Sequence, residues 1–275
     1  MWGEGSRTTS TGPVPAPLTQ KDIEDGLRQL GLGRGDVVEV HSSLSSFGWV
    51  ESGASTVVEA LMNVVGEQGA LVMSAYPVTR AIPLSEEEKV RGIAWKVRIL
   101  REDTTEKTGM GAIVEEFVRR PGVICGRRLH RVCAWGRNAQ MLSEGYQRLL
   151  EMDGWALLLG VDITRCSSMH QAEVRVGIPE EIGERFRIPE EISRDYPANT
   201  WSIGYGSAPG DPWRKVWEEA QRRGLIRERR IGRAECKLFR AEALVSIYEH
   251  LLRTDPYGLF GVEKRAPPEK ASNND

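Results

Sequence analysis

The sequence lacks the features of a membrane protein and of a nucleic-acid-binding protein. Its strongly apolar runs, such as residues 155–161, are far shorter than the roughly 20 residues that a membrane-spanning helix needs. Residues 1–17 contain no apolar stretch of the kind found in a signal peptide. The 37 Lys and Arg residues are balanced by 39 Asp and Glu residues, which leaves a net charge of −2 and no general basic surface. We therefore expect a cytoplasmic protein with no membrane and no nucleic-acid partner.

Cysteine is scarce and follows no metal-binding spacing. No pair of cysteines forms a CxxC or other zinc pattern, so the sequence predicts no metal site. Without an export signal the compartment is expected to be reducing, and we expect all the thiols to be free. The four cysteines are Cys125, Cys133, Cys166 and Cys236.

Three common motifs of enzyme active sites are also missing. The 29 glycines include no GxGxxG and no GxxxxGK pattern, so neither a dinucleotide-binding fold nor a P-loop NTPase is indicated. There is no GxSxG sequence of the kind that carries the nucleophile of an α/β-hydrolase. One shorter GxG sequence, residues 109–111, precedes a predicted helix and can bring backbone N–H groups close to a ligand.

The elements that are present alternate between strand and helix, which indicates an α/β layered fold with a mixed sheet flanked by helices. The run at residues 155–161 shows no polar alternation, so both of its faces should be buried. We expect Thr19 to cap the first helix, and Ser52 or Ser55 to cap the second. Strands are predicted at residues 36–41, 70–75, 132–135 and 155–161, and helices at 19–30, 54–65, 108–120, 211–223 and 240–252. A single domain is predicted over residues 18–262, between a flexible leader (1–17) and a flexible tail (263–275).

Of the four histidines, two lie where chemistry is expected. His41 opens a serine-rich loop after a predicted strand, which is where open α/β sheets bind ligands. His170 follows the most apolar strand, and Glu173 lies on the same helical face three residues later if Ser167 caps that helix. A carboxylate at this spacing can orient an imidazole and raise its basicity, as a general base requires. The alternative for this pair is an ordinary helical contact, and we interpret His250 as structural.

Six segments, taken in order, resemble the aminoglycoside 3-N-acetyltransferase family of antibiotic N-acetyltransferases. The most specific are DVVEVHSSLSSFGWV (residues 36–50) and LLLGVDITRCSSMHQAE (157–173). The others are GEQGALVM (66–73), TGMGAIVEEF (108–117), HRVCAWGRNA (130–139) and GRAECKLFRAEALVSIYEHLLRTDP (232–256). The resemblance covers residues 19–260.

This resemblance implies an α/β fold distinct from the small general acetyltransferase fold. It implies direct transfer of an acetyl group from acetyl-CoA to the 3-amino group of an aminoglycoside, without a metal, as in antibiotic resistance. His170 becomes the general base and Glu173 its orienting partner, and the Thr108 hydroxyl is a candidate donor to the oxyanion. The residues expected to line the coenzyme A site are His41, Ser42, Ser43, Leu44, Ser46, Met110 and Gly111. The resemblance is compatible with a homodimer.

An acidic segment follows the predicted catalytic helix. Residues 180–195 contain six acidic residues and three arginines. Glu180, Glu181 and Glu184 are our candidates for binding the ammonium groups of an antibiotic, although a solvated surface would have the same composition.

Three alternatives remain open. The segments at residues 95–108 and 127–136 depart from the usual family pattern, which leaves room for another small amine as the acceptor. The same departures allow a binder of aminoglycoside or coenzyme A that has lost catalysis. A third possibility is an acyl-carrier mechanism in which Cys133 or Cys166 is the nucleophile.

Overall fold

The computed structural model describes residues 16–90, 97–101, 108–127, 130–183, 194–195, 201–203 and 212–264. Within these residues the main sheet has seven strands, which are Val37–Ser42 (β1), Ala70–Ser74 (β2), Ile124–Cys125 (β5), Val132–Gly136 (β6), Trp155–Leu159 (β7), Arg227–Ile231 (β9) and Ala234–Arg240 (β10). Their order across the sheet is β5-β6-β2-β1-β7-β10-β9.

The centre of the main sheet is parallel and its outer parts are antiparallel. Strand β1 runs parallel to β2 on one side and to β7 on the other, whereas β6, β5, β10 and β9 add antiparallel strands at the two edges. Every residue of β7 is buried, as expected for a strand covered on both faces. The predicted mixed α/β architecture is confirmed.

Helices cover both faces of this sheet. Among the described residues they are Gln20–Leu30 (α1), Ala54–Val65 (α2), Glu86–Val90 (α3), Ala112–Phe117 (α4), Ala139–Leu142 (α5), Tyr146–Glu151 (α6), His170–Val176 (α7), Glu180–Gly183 (α8), Pro212–Arg222 (α9), Ala241–Thr254 (α10) and Pro256–Phe260 (α11). One apolar core packs α1, α2 and α4 against one face of the sheet. A second core packs α5, α6, α7, α9, α10 and α11 against the opposite face. None of the described helices is long and apolar enough to cross a membrane.

The ends of the first two helices show where local sequence rules hold and where they fail. Thr19 caps α1 in a capping box with Asp22, as predicted. Helix α2 is instead preceded by Gly53, with no capping side chain, so the prediction of a serine cap is wrong. Ser52 has a φ of 53°, and Ser55 lies inside the helix, where its hydroxyl donates to Glu59.

A second, small sheet lies outside the predicted elements. Its three antiparallel strands are Thr79–Ala81 (β3), Val97–Leu100 (β4) and Trp201–Ile203 (β8), in the order β3-β4-β8. Strand β4 lies within the segment that departs from the family pattern. These strands are short and far apart along the chain, so no local pattern marked them.

The cysteines correct one prediction. Cys125 and Cys133 lie directly opposite each other on β5 and β6, with their Cα atoms 4.0 Å apart, and form a disulfide. The prediction of free thiols is therefore wrong for this pair, because the strand register brings together two cysteines whose spacing fits no motif. Cys166 and Cys236 are free and buried.

Candidate active site

A cleft of about 900 Å³ lies outside the carboxyl ends of β1 and β7. These strands are parallel neighbours, and Ser42 of β1 is paired with Leu159 of β7. The chain beyond each strand therefore leaves from the same edge of the sheet, where open α/β sheets bind ligands. Ser43 joins the two loops by donating its backbone N–H to the Leu159 carbonyl, at 3.0 Å.

The serine-rich loop forms one wall of the cleft. Ser46 Oγ donates to the Ser43 carbonyl at 2.7 Å, and Ser43 Oγ lies 3.1 Å from Ser45 Oγ, so these hydroxyls stabilise the loop itself. Ser42 Oγ is different, because it is buried and has no hydrogen-bond partner among the described residues. A buried hydroxyl without a partner is costly, so its position beside the cleft favours a ligand that supplies one.

The glycine turn before α4 forms another wall. Gly111 has a φ of 95°, a conformation that favours glycine, and the position of a Cβ there is open space. Thr108 is buried and shapes this turn, since its backbone N–H donates to Glu115 at 2.5 Å and its Oγ1 accepts the Met110 N–H at 3.0 Å. The Thr108 hydroxyl hydrogen is not used in either contact.

All seven residues expected at a coenzyme A site line this one cleft. They are His41, Ser42, Ser43, Leu44, Ser46, Met110 and Gly111. Four further charged residues line the same cleft and were given no role from the sequence: Asp162, Arg165, Glu235 and Lys237. The first two lie in the 157–173 segment and the last two in the 232–256 segment, so they belong to segments that resemble the family, but nothing in their pattern indicated a role for their charges.

His170 and Glu173 meet as their spacing predicts. His170 Nδ1 lies 2.9 Å from Glu173 Oε2, and Glu173 Oε1 accepts a hydrogen bond from Tyr248 on α10, also at 2.9 Å. The His170 ring packs edge-on against Trp213 of α9, with 4.8 Å between ring centroids. The imidazole is thus oriented by a carboxylate that is itself held in place, and Nε2 is left to act on a substrate.

Helix α7 begins differently from the prediction. Ser167 does not cap it; residues Ser167–Met169 form a 3-10 turn that runs directly into the helix, and His170 is the first residue of α7 rather than the third. The Ser167 side chain instead accepts a hydrogen bond from Ser74 at 2.9 Å. Since Ser74 lines the cleft, this bond connects the cleft to the segment that carries His170.

The environment of His170 suits a base. Partial desolvation lowers the pKa of His170, but its hydrogen bond to Glu173 and the negative charges of Glu173 and Glu39 raise it by more, so that the pKa lies above its ordinary value. The His170 side chain keeps 56% of its surface exposed, which leaves it accessible to an acceptor. His170, Glu173 and Thr108 do not themselves line the cleft of 900 Å³.

Another histidine, which sequence reasoning placed in a motif without a role, lies near His170. The His130 ring packs against Tyr76, with 5.2 Å between ring centroids. Desolvation lowers the pKa of His130, and the charge that His170 carries when protonated lowers it further. The signal was its place in HRVCAWGRNA (residues 130–139), one of the segments that resemble the family.

Neither cysteine considered as a nucleophile lies in an environment that favours that role. Cys133 is in the disulfide, and burial together with the negative charge of Glu39 holds the pKa of Cys166 well above its ordinary value. A cysteine nucleophile requires a thiolate, which this environment disfavours. The side chains of Glu39, His41 and Cys166 form a buried group whose ligand atoms lie within 4.8 Å of one another, the spacing of a metal site.

Of the candidate acidic residues, Glu180 and Glu181 are described, and neither lines the cleft. Glu180 is exposed on α8, and Glu181 accepts a hydrogen bond from Tyr257 of α11 at 3.0 Å. Helix α8 follows the carboxyl end of α7, whereas His170 stands at the amino end. Glu184 lies outside the described residues. Substrate binding by these acids stays a prediction.

Comparison with known proteins identifies the family. The sequence model of the family described as aminoglycoside 3-N-acetyltransferase matches residues 40–253. The chain is 33% identical over 181 residues to the aminoglycoside N(3')-acetyltransferase-like protein YokD of Bacillus subtilis, covering 58% of this chain and 66% of YokD. It is 28% identical over 260 residues to aminoglycoside N(3)-acetyltransferase III of Salmonella sp, covering 83% of this chain and 89% of that enzyme.

The fold agrees with solved structures of such enzymes. The structure of AAC-IIIb in its binary complex with CoASH superposes with a TM-score of 0.65 at 19% identity, covering 91% of this chain and all of AAC-IIIb. A match at this identity shows the fold, and the family rests on the sequence matches. Since the family model spans most of its length, the chain belongs to the aminoglycoside 3-N-acetyltransferase family and is an acyltransferase.

Proposed function

We propose that this protein transfers the acetyl group of acetyl-CoA to the 3-amino group of an aminoglycoside, in one direct step, with His170 as the general base. The observation that carries the proposal is the cleft itself. It collects all seven residues expected to bind coenzyme A at the ends of two adjacent parallel strands, and the Ser74–Ser167 bond links it to the segment that presents His170. The name of the Salmonella relative supports aminoglycosides as the acceptor class.

The reaction needs a base because its acceptor is a cation. An alkylammonium group, with a pKa near 10, is not nucleophilic until it loses a proton. His170 Nε2 takes that proton directly or through water and passes it to solvent, and the amine nitrogen attacks the thioester carbonyl. The nitrogen then loses a second proton to His170, which returns it to the departing thiolate as the carbon–sulfur bond breaks. The products are the acetylated amine, coenzyme A with a free thiol, and one proton released to solvent.

The site offers further support for each step. Glu173, which accepts a hydrogen bond from Tyr248, contacts the imidazole at Nδ1, so Nε2 is the atom left for the substrate. The Thr108 hydroxyl is the candidate oxyanion donor, because its oxygen accepts the Met110 N–H and its hydrogen is not used in that contact. A positioned base contributes about 10² to 10⁴ in rate and an oxyanion donor about 10² to 10³. Holding the two substrates in line supplies much of the remainder.

The experiment that tests the proposal follows the release of free thiol. Purified protein, acetyl-CoA and a panel of aminoglycosides should release thiol only when an acceptor is present, and mass spectrometry should find one added acetyl group. His170→Ala should lower kcat by at least about 10²-fold and leave coenzyme A affinity nearly unchanged. His250→Ala is the matched control, because it removes an exposed histidine of α10 outside the site.

Each alternative has its own outcome in the same assay. Tight binding of an aminoglycoside without any thiol release would identify a binder and contradict the proposal. Release with small amines but with no aminoglycoside would identify another acceptor class. Loss of turnover in Cys166→Ala, with its fold intact, would favour an acyl-enzyme.

A further inference from the structure

A carboxylate in the centre of the sheet has no role in the chemistry described so far. Glu39 lies on β1 between β2 and β7, and its side chain has no exposed surface. Its neighbours along the strand, Val38 and Val40, are apolar and buried. Buried carboxylates require partners, so the partners of Glu39 indicate what it does.

Those partners belong to the segment that carries His170. Glu39 Oε1 accepts the backbone N–H of Ser168 at 3.0 Å. The same oxygen lies 2.5 Å from His41 Nε2, and the backbone N–H of Ser167 lies 3.2 Å from that nitrogen. An imidazole nitrogen has a single in-plane site for a hydrogen bond, so Glu39 and the Ser167 N–H compete for His41 Nε2. Glu39 is therefore the acceptor for the Ser168 N–H and, through the same oxygen, holds His41 beside the Ser167 N–H.

These N–H groups are the ones that a helix leaves unsatisfied. The helical segment begins at Ser167 with the 3-10 turn and continues into α7, so its first N–H groups have no acceptor within the helix. A preceding Ser, Thr, Asp or Asn side chain often fills this role, but the residue here is Cys166, which makes no capping hydrogen bond. Ser167 and Ser168 are buried, so water does not replace the missing cap.

We propose that Glu39 is a positioning residue, which caps the helical segment of His170 from the neighbouring strand through the Ser168 N–H and holds His41 beside Ser167. This proposal rests on the proposed role of His170 as the base. The cap fixes the start of the segment at the edge of the sheet, two residues before the imidazole. It thereby sets the distance between His170 Nε2 and a thioester held in the cleft, to which reaction rates are sensitive.

The geometry distinguishes this cap from a metal site. Glu39, His41 and Cys166 have the composition of a zinc site, and Cys166 Sγ lies 3.9 Å from Glu39 Oε2. Glu39 Oε1, however, is already directed at the Ser168 N–H and at His41 Nε2. A bound cation would have to displace both contacts. We therefore assign the cluster to positioning.

The charge of Glu39 provides a second test of the proposal, through the pKa of His170. Among the described residues, the charged and titratable groups that act on His170 or its partner are Glu173 on its own helix, Tyr248 on α10, His130 before β6 and Glu39 on β1. Since the negative charge of Glu39 contributes to the raised pKa of His170, replacing it with a neutral amide should lower that pKa. A structural cap without a charge effect would not produce this change.

The test compares two variants with a matched control. Glu39→Leu removes both acceptor and charge, whereas Glu39→Gln keeps an oxygen for the Ser168 N–H and removes only the charge. Thr56→Val is the control, because Thr56 lies on α2, in the opposite layer, and this change deletes its partly buried hydrogen bond to the Glu51 carbonyl. Thermal unfolding and acetyl-CoA binding establish that each variant is folded.

The expected results separate positioning from general stability. Glu39→Leu should lower kcat by about tenfold to a hundredfold with little change in the KM for acetyl-CoA. Amide hydrogen exchange at Ser167 and Ser168 should be at least about tenfold faster in Glu39→Leu than in wild type. Glu39→Gln should retain slow exchange, and NMR titration should show a lower pKa for His170. Thr56→Val should lower the melting temperature and leave kcat, exchange at Ser167 and Ser168, and the His170 titration unchanged.

Several outcomes would overturn the proposal. Slow exchange at Ser167 and Ser168 in a folded Glu39→Leu would show that the cap is not required. An unchanged pKa of His170 in Glu39→Gln would also contradict the proposal, even if Glu39→Leu does not fold. Stoichiometric zinc in the purified wild type, lost in Glu39→Gln, would reassign the cluster to a metal. Hydrogen exchange and the His170 titration can be measured without turnover. If the proposed function is wrong, the wild-type protein releases no thiol, and this result is independent of the outcome for Glu39.

Discussion

Replacing Glu173 with Gln tests how the site prepares its base. The Glu173 carboxylate contacts His170 Nδ1 through one oxygen and the Tyr248 hydroxyl through the other. In Glu173→Gln the amide oxygen is expected to keep the Tyr248 hydrogen bond, since that hydroxyl donates. The amide nitrogen then faces His170 Nδ1 and donates to it. This arrangement places the ring proton on Nε2, the atom that must accept the substrate proton.

The expected loss of activity in Glu173→Gln follows from the loss of the carboxylate contact with His170. A hydrogen bond to a charged group contributes about 1.5–3 kcal/mol to stability. The His170 side chain is 56% exposed, so solvent screening favours the lower end of this range. About 1.5 kcal/mol corresponds to roughly a tenfold change in rate. The unfavourable tautomer adds to this loss, so kcat should fall by about tenfold to a hundredfold, less than in His170→Ala.

The pH dependence of activity shows in which direction Glu173 shifts the pKa of His170. Glu173 raises the pKa of His170 through its hydrogen bond and its charge, against the desolvation that lowers it. A general base acts when deprotonated, so activity rises with pH through its pKa. In Glu173→Gln the acid limb of kcat/KM should therefore move to lower pH, while the plateau is reduced.

The assay is thiol release between pH 6 and 9, with acetyl-CoA binding measured alongside. Adding Tyr248→Phe to Glu173→Gln removes the hydroxyl that orients the amide. The amide can then turn its oxygen toward Nδ1, and the double variant should regain part of the lost kcat. A Glu173→Gln profile identical to wild type across this range would refute the reasoning, and Glu173 would have only a structural role.

Three further predictions concern other parts of the molecule. Thr108→Val should lower kcat by about 10² if the hydroxyl steadies the oxyanion, with acetyl-CoA affinity retained; equal kcat would remove Thr108 from the mechanism. The combined variant Glu180→Gln, Glu181→Gln and Glu184→Gln should raise the KM for the antibiotic but not for acetyl-CoA, with a smaller difference at high salt, and an equal KM at low salt would leave these acids as surface charges. Replacing Cys125 and Cys133 with Ser should lower the free energy of unfolding by about 2–3 kcal/mol, measured by urea denaturation against Cys236→Ala as the control; an unchanged midpoint would contradict a stabilising role for the disulfide.

Local sequence rules identified the elements that depend on local interactions. Helix α1 has its cap, its acidic first turn and its terminating Gly31 within consecutive residues, and the structure reproduces all three. The apolar run at residues 155–161 correctly predicted a fully buried strand, although it ends at Leu159. The spacing of His170 and Glu173 was sufficient because three residues along a helix is a contact by geometry alone.

The missed features depend on contacts between distant parts of the chain. The Cys125–Cys133 disulfide follows from the register of two strands, which no spacing rule specifies. The start of α7 was mispredicted because its N–H groups take their acceptors from β1 rather than from Ser167. In the sequence, Glu39 is a single acidic residue within a β-branched run, and only the fold shows what its carboxylate contacts.

Successive residues of strand β1 face alternately toward the two layers of helices. Its alternating side chains place Val38 and Val40 in the core under α1 and α2, while Glu39 and His41 face the layer that contains α7. One inserted residue within this strand would exchange the two faces, exposing valines to a polar cluster and a carboxylate to an apolar core. The strand should therefore tolerate changes of residue type far better than any change of length, whereas an insertion in the exposed turn at residues 51–53 would leave this partition intact.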